Sequence, residues 1–127
     1  MYNQRKNIIV EQSFEFAVKI VEVCRNISFR HKEYIISQQL LKSWTSIGAN
    51  IMEAQHAQSK NDFLAKLYIS YKECNETLYR LMLLAHTTFL HAEEKLTLHS
   101  LQEKATELKK LLTAIIKSTK KNLDKNI

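Results

Sequence analysis

Groups able to do chemistry are sparse in this chain, and the nearest approach to a reactive pattern is Glu53-Ala54-Gln55-His56. An E-x-x-H on a bundle helix is one part of the ligand set that binds paired iron or manganese, which needs a second such motif and two further glutamates. Glu73 and Glu76 could add carboxylates, but no second E-x-x-H exists. A metal-dependent oxidase would therefore lack part of its ligand set, and neither a metal nor a cofactor is expected. His56 sits near a helix end, where a cation is favourable in any case. The other histidines, His31, His86, His91 and His99, fall around helix ends or loops and read as solvated polar groups. Gly48 is the single glycine, so a glycine-rich phosphate loop is impossible, and nucleophile elbow, zincin and CxxC motifs are absent.

Two polar stripes are more informative. Leu40, Trp44, Ile47, Ile51 and Ala54 recur at three- and four-residue steps and mark one face of a helix. One position out of phase run Ser43, Ser46, Asn50 and Glu53, where a surface helix would carry Lys and Glu. Small side chains let a neighbouring backbone come close, and their hydroxyls need partners once dry. Lys66, Ser70, Glu73, Thr77 and Arg80 form a matching stripe on the next helix. Antiparallel packing brings Glu53 level with Lys66, and Ser46 level with Ser70 or Glu73. A hydrogen-bonded seam of Ser43, Ser46, Asn50, Glu53, Lys66, Ser70 and Glu73 is expected. If Glu53 is buried there, removing Lys66 would cost about 3–5 kcal/mol.

Charge supplies the third constellation. The chain is +6, and Lys109, Lys110, Lys117, Lys120, Lys121 and Lys125, opposed only by Asp124, carry most of it. A lysine-rich end can contact phosphates with strongly salt-dependent affinity. It also suits a helix C-terminus and a soluble tail. Tyr68, Tyr71, Tyr79 and Trp44 lie mostly at core spacing, so base stacking is not expected of them.

These groups need a scaffold of helices. The 127 residues fit one domain with an adequate core, Pro is absent, and 45% hydrophobic with 25% charged residues is ordinary for a folded chain. An all-α fold follows: an antiparallel up-down-up-down four-helix bundle spanning 1–127, with frayed ends at 1–7 and 121–127. The first helix is expected over about 10–28, with Phe14, Ala17, Val21, Cys24 and Ile27 or Ser28 facing inward, Val18 and Ile20 beside them, and Glu11 and Glu15 near its N-terminus. A turn built by polar side chains over 29–32 leads to the central helix at 33–57. Ser59 and Asp62 resemble a capping box and open a third helix that reaches about residue 87. Its stripe is Leu64, Leu67 or Tyr68, Tyr71, Cys74, Leu78, Leu81 and Ala85. The fourth, about 92–120, carries Leu98, Leu101, Ala105, Leu108, Leu112, Ile115 and Thr119. Leu111 and Ile116 widen that face enough to meet another chain. Cys24 and Cys74 are expected as free thiols in a reducing cytoplasmic setting, with no secretory signal and no membrane span.

The run Leu40-Leu41-Lys42-Ser43-Trp44-Thr45-Ser46-Ile47-Gly48-Ala49-Asn50-Ile51, followed by Glu53-Ala54, resembles the signature of bacterial four-helix bundle proteins related to the 23S rRNA intervening-sequence proteins. Ser59, Lys60, Asp62-Phe63, Lys66-Leu67, Lys72-Glu73 and Glu76 are similar to the family's second block, and Ser13 with Phe16-Ala17 to its first. Trp44 departs from the small residue usual in the family, which puts local packing or the surface between subunits in question. The resemblance implies an antiparallel bundle assembled into a homo-oligomeric ring, commonly a pentamer, without enzymatic activity. Some relatives are encoded inside inserts in rRNA genes. Others are variability-determinant accessory proteins of retroelements, where a basic ring binds a reverse transcriptase and nucleic acid.

Two readings follow. One is an oligomeric scaffold that binds RNA or a nucleoprotein partner through basic surface; the other is a protein-interaction module without nucleic acid.

Overall fold

A computed structural model describes the backbone of residues 4–125 and the side chains of residues 8–124. The four helices are α1 (Gln4–His31), α2 (Ile35–Ala54), α3 (Lys60–Ala85) and α4 (Ala92–Lys125). Each packs against its neighbour in sequence, and α4 closes back on α1 along the sparsest seam of the four. Short links make successive helices antiparallel, so the architecture is the expected up-down-up-down bundle.

The helix ends explain where the chain turns without proline and almost without glycine. After α1, Lys32 adopts φ 55°, the left-handed conformation that usually falls to glycine at a helix C-terminus. The Glu33 carboxylate then accepts the N–H groups of Ile35, Ile36 and Ser37 at 3.1, 3.1 and 2.9 Å, and the Ser37 hydroxyl at 3.2 Å. One side chain thus satisfies three donors that a helix start would leave bare. The Ser59 hydroxyl accepts Asp62 N–H at 3.0 Å and caps α3, as its spacing suggests. Asp62 reaches back to the Gln58 N–H at 3.3 Å, one residue earlier than in the standard box.

The core matches the sequence stripes on three helices. Leu40, Trp44, Ile47, Ile51 and Ala54 are buried, as are Leu64, Leu67, Cys74 and Leu81 of α3. On α4, Leu98, Leu101, Ala105, Leu108, Leu112 and Ile115 are buried, and Thr119 is half-buried. Ile116 is buried within the bundle, so the second apolar edge of α4 serves this chain's own core. Tyr68 is exposed and Leu67 takes the inward place.

On α1 the expected face is right at Ile20, Cys24 and Ile27 and wrong at Phe14, Val18 and Val21. Ile9, Ser13, Phe16, Ile20, Cys24 and Ile27 point inward, whereas Phe14, Val18 and Val21 are 59%, 46% and 38% exposed. The inward row is masked in sequence by Ser13, whose hydroxyl is satisfied by Val10 O at 3.0 Å and so can be buried. The helix also begins at Gln4, not near Val10, which places Glu11 and Glu15 beyond the first turn. Burial of Ile9 rewards that extension. At the other end α4 continues to Lys125, past the expected fraying point.

Trp44 belongs to the chain's own core. It is 1% exposed, its ring meets Phe16 edge-on at 5.4 Å, and its indole N–H donates to Ser13 O at 3.2 Å. The tryptophan therefore alters packing between α1 and α2, not a surface between subunits. Cys24 and Cys74 are buried free thiols; burial pushes Cys24 up to about 12, aided by Glu33, and Cys74 up to about 11. Both behave as small apolar groups.

Candidate functional site

The α2–α3 seam forms, but only its centre is dry. Thr77 Oγ1 donates to Ser43 Oγ at 3.0 Å, Ser43 Oγ donates to Leu40 O at 3.2 Å, and Ser70 Oγ donates to Ile47 O at 3.0 Å. Ser43, Ser70 and Thr77 are at most 2% exposed. Asn50 does not cross the seam; its Nδ2 donates to Ser46 O at 2.9 Å and reaches Ser46 Oγ at 3.3 Å. Lys66 and Glu53 pair at 3.3 Å as the register requires, but their side chains are 32% and 61% exposed.

The buried carboxylate expected at Glu53 is therefore a surface ion pair. Helix geometry gives the reason: at about 100° per residue, Ser46 and Glu53 lie roughly 60° and 80° round the helix from Ser43. A stripe that looks continuous in sequence thus turns from the interface to its margin. Thr77 completes the buried part, since its methyl packs while its hydroxyl finds Ser43.

Beside the seam a cleft of about 310 Å³ is lined by Gln39, Lys42, Ser46, Glu73, Glu76 and Arg80, with Ser43 at its base. Burial raises Glu73 above the usual carboxylate range, and the charge and hydrogen bond of Glu76 add to this against Arg80 and Lys72. Arg80 holds Glu76 at 3.7 Å. Among the described residues no buried side-chain polar atom lacks a hydrogen-bond partner. The seam is thus satisfied as it stands, and its chemistry is that of a specificity-giving helix contact.

The E-x-x-H pattern does not assemble. α2 ends at Ala54, so Glu53 is in its last turn while His56 lies beyond the helix and is exposed. Histidines do meet a carboxylate elsewhere. His31 Nε2 lies 2.8 and 3.0 Å from the two oxygens of Glu94, and His91 lies beside them. His31 is half-buried there, not a solvated end group. No spacing rule links residues 31 and 94; only the antiparallel return of α4 brings them together.

The lysine-rich end is a continuation of α4. Lys110, Lys117, Lys120 and Lys121 are exposed and Lys109 is half-buried, while the Lys125 side chain lies outside the described residues. Lys109 Nζ sits 5.6 Å from the Tyr71 ring centre and Lys120 Nζ 5.7 Å from that of Tyr68. Lys120 is raised above the usual lysine value, chiefly by its hydrogen bond to the Tyr68 hydroxyl. The tyrosines therefore serve as platforms for ammonium groups along the α3–α4 edge.

A family model described as 23S rRNA-intervening sequence protein matches residues 5–114. The chain belongs to that family. The match covers α1 from its second residue, all of α2 and α3 and most of α4, and stops short of the last lysines of α4. A crystal structure of a protein of unknown function from the S23 ribosomal protein family of Bacteroides thetaiotaomicron VPI-5482 is similar to this chain. It shares 45% identity over 90% of this chain and 99% of that one, with a TM-score of 0.83. No curated protein matches the chain. Among the described residues, no helix of this family member is long and apolar enough to cross a membrane.

Proposed function

We propose that this protein is a non-enzymatic, homo-oligomeric scaffold that holds RNA, or a reverse-transcriptase-type nucleoprotein, against the lysine-rich end of α4. The observation that carries this reading is the exposure of Lys110, Lys117, Lys120 and Lys121 along the C-terminal half of α4, with Lys109 and Lys120 seated over tyrosine rings. Ammonium groups displayed together attract a polyanion, and counterions released from its phosphates supply the affinity. The family description itself refers to an rRNA insert, which favours RNA as the polyanion.

Self-association rests on a separate feature. Phe14, Val18 and Val21 form an exposed apolar row on α1, and a row of this kind marks an association surface. That observation also favours the second reading, a protein-interaction module that assembles without nucleic acid. Joint replacement Lys117→Glu with Lys121→Glu separates the two. The scaffold reading expects RNA binding to be lost while oligomer mass and Tm stay at parental values. Full retention of RNA affinity contradicts it, and a parent protein that never binds RNA favours the interaction module.

A further inference from the structure

We propose that His31, His91 and Glu94 form a divalent transition-metal site of the zinc class, which staples the end of α1 to the start of α4. The three come from structurally fixed points: the last residue of α1, the residue preceding α4, and the third residue of α4. One ligand atom from each lies within 4.8 Å of the other two. Two imidazole nitrogens and a carboxylate oxygen are a ligand set that zinc accepts, with a fourth position left for water.

The geometry needs little adjustment. Bonds of about 2.0–2.1 Å in a tetrahedral shell put ligand atoms roughly 3.3 Å apart. His31 Nε2 and Glu94 already stand at 2.8 and 3.0 Å as a hydrogen bond, so they need separate by only a few tenths of an ångström as the ion displaces the proton between them, which is released to solvent. The His91 ring is exposed and lies 5.4 Å from that of His31, close enough to turn a nitrogen toward the same ion. The surroundings hold the ligands in place. The Phe89 ring lies 5.3 Å from His31 and forms an apolar wall, and the His91 N–H donates to Glu94 Oε1 at 2.8 Å. Arg30, 3.8 Å from Glu94 Oε2, opposes a cation there, but its side chain is 57% exposed and can withdraw.

A metal here has a structural consequence. The α1–α4 seam is the sparsest in the bundle, and an ion bound only in the folded state adds its binding free energy to that closure. The inference does not depend on RNA binding.

The test titrates the full chain with zinc in competition with a chromogenic chelator, alongside His91→Ala, Glu94→Gln and, as a control, His56→Ala. Cobalt in place of zinc gives a visible absorption that reports four-coordinate ligation. One ion per chain is expected, with affinity at least tenfold weaker in His91→Ala and in Glu94→Gln and unchanged in His56→Ala. His91→Ala keeps its backbone N–H and an exposed position, so its metal-free Tm should match the parent's, while the Tm rise given by zinc disappears. Absence of stoichiometric zinc binding, or equal affinity in His91→Ala, overturns the proposal.

Discussion

At the scale of single residues, burial decides which polar groups matter. The Glu53–Lys66 pair is open to water, so Lys66→Ala should cost less than about 1 kcal/mol, as exposed ion pairs do. A Tm drop of the size seen for a buried pair would restore the dry-carboxylate picture. Thr77→Val should cost more, about 1 kcal/mol, because it removes the hydrogen bond to buried Ser43. Trp44→Ala opens a cavity and breaks the bond to Ser13, an expected loss of about 3–5 kcal/mol by denaturant unfolding. Glu73 gives the pH dependence. Its folded value is raised, so the folded state holds its proton more tightly than the unfolded chain; this favours folding at low pH, and the advantage is lost as pH rises through the folded value. Glu73→Gln mimics the protonated form. It should therefore raise Tm at neutral pH by the equivalent of less than about 1 kcal/mol, with the gain fading below about pH 4. A gain independent of pH would contradict this assignment.

At the scale of helices, periodicity was legible wherever one face was uniformly apolar. The stripes of α2 and α4 needed no correction, and the Ser59 cap was readable from its spacing with Asp62. The α1 face was misread only at Phe14, Val18 and Val21, because a buried serine breaks the true apolar row while these three make a competing one outside. Sequence alone cannot show that Ser13 bonds to its own helix, so polarity there looked like exposure. The same limit applied to the seam, where helix twist carries Ser46 and Glu53 outward, and to His31 with Glu94, which are 63 positions apart. The α1–α2 turn makes its own prediction. Lys32 holds φ 55° without being glycine, so Lys32→Gly should stabilise the chain by roughly 0.5–1 kcal/mol. Gly48 lies inside α2, and a Cβ there would meet nothing within 4 Å. Gly48→Ala should therefore gain up to about 1 kcal/mol in the monomer from helix propensity; a loss would point to another chain seated against that position.

At the scale of the whole molecule, the surfaces proposed to meet partners are the apolar row of α1 and the basic end of α4. Light scattering tests the first, with a homo-oligomer expected and a ring of five implied by the family resemblance; a monomer at all concentrations would remove self-association from the account. The basic end carries the central claim, and its most direct test is RNA affinity followed across ionic strength. If about five lysines each meet a phosphate of a single strand, affinity should fall about a hundredfold between roughly 50 and 200 mM salt. A steep linear decline of log affinity with log salt, flattened by removing Lys117 and Lys121, is the predicted result. No binding at low salt, or binding indifferent to salt, would contradict it.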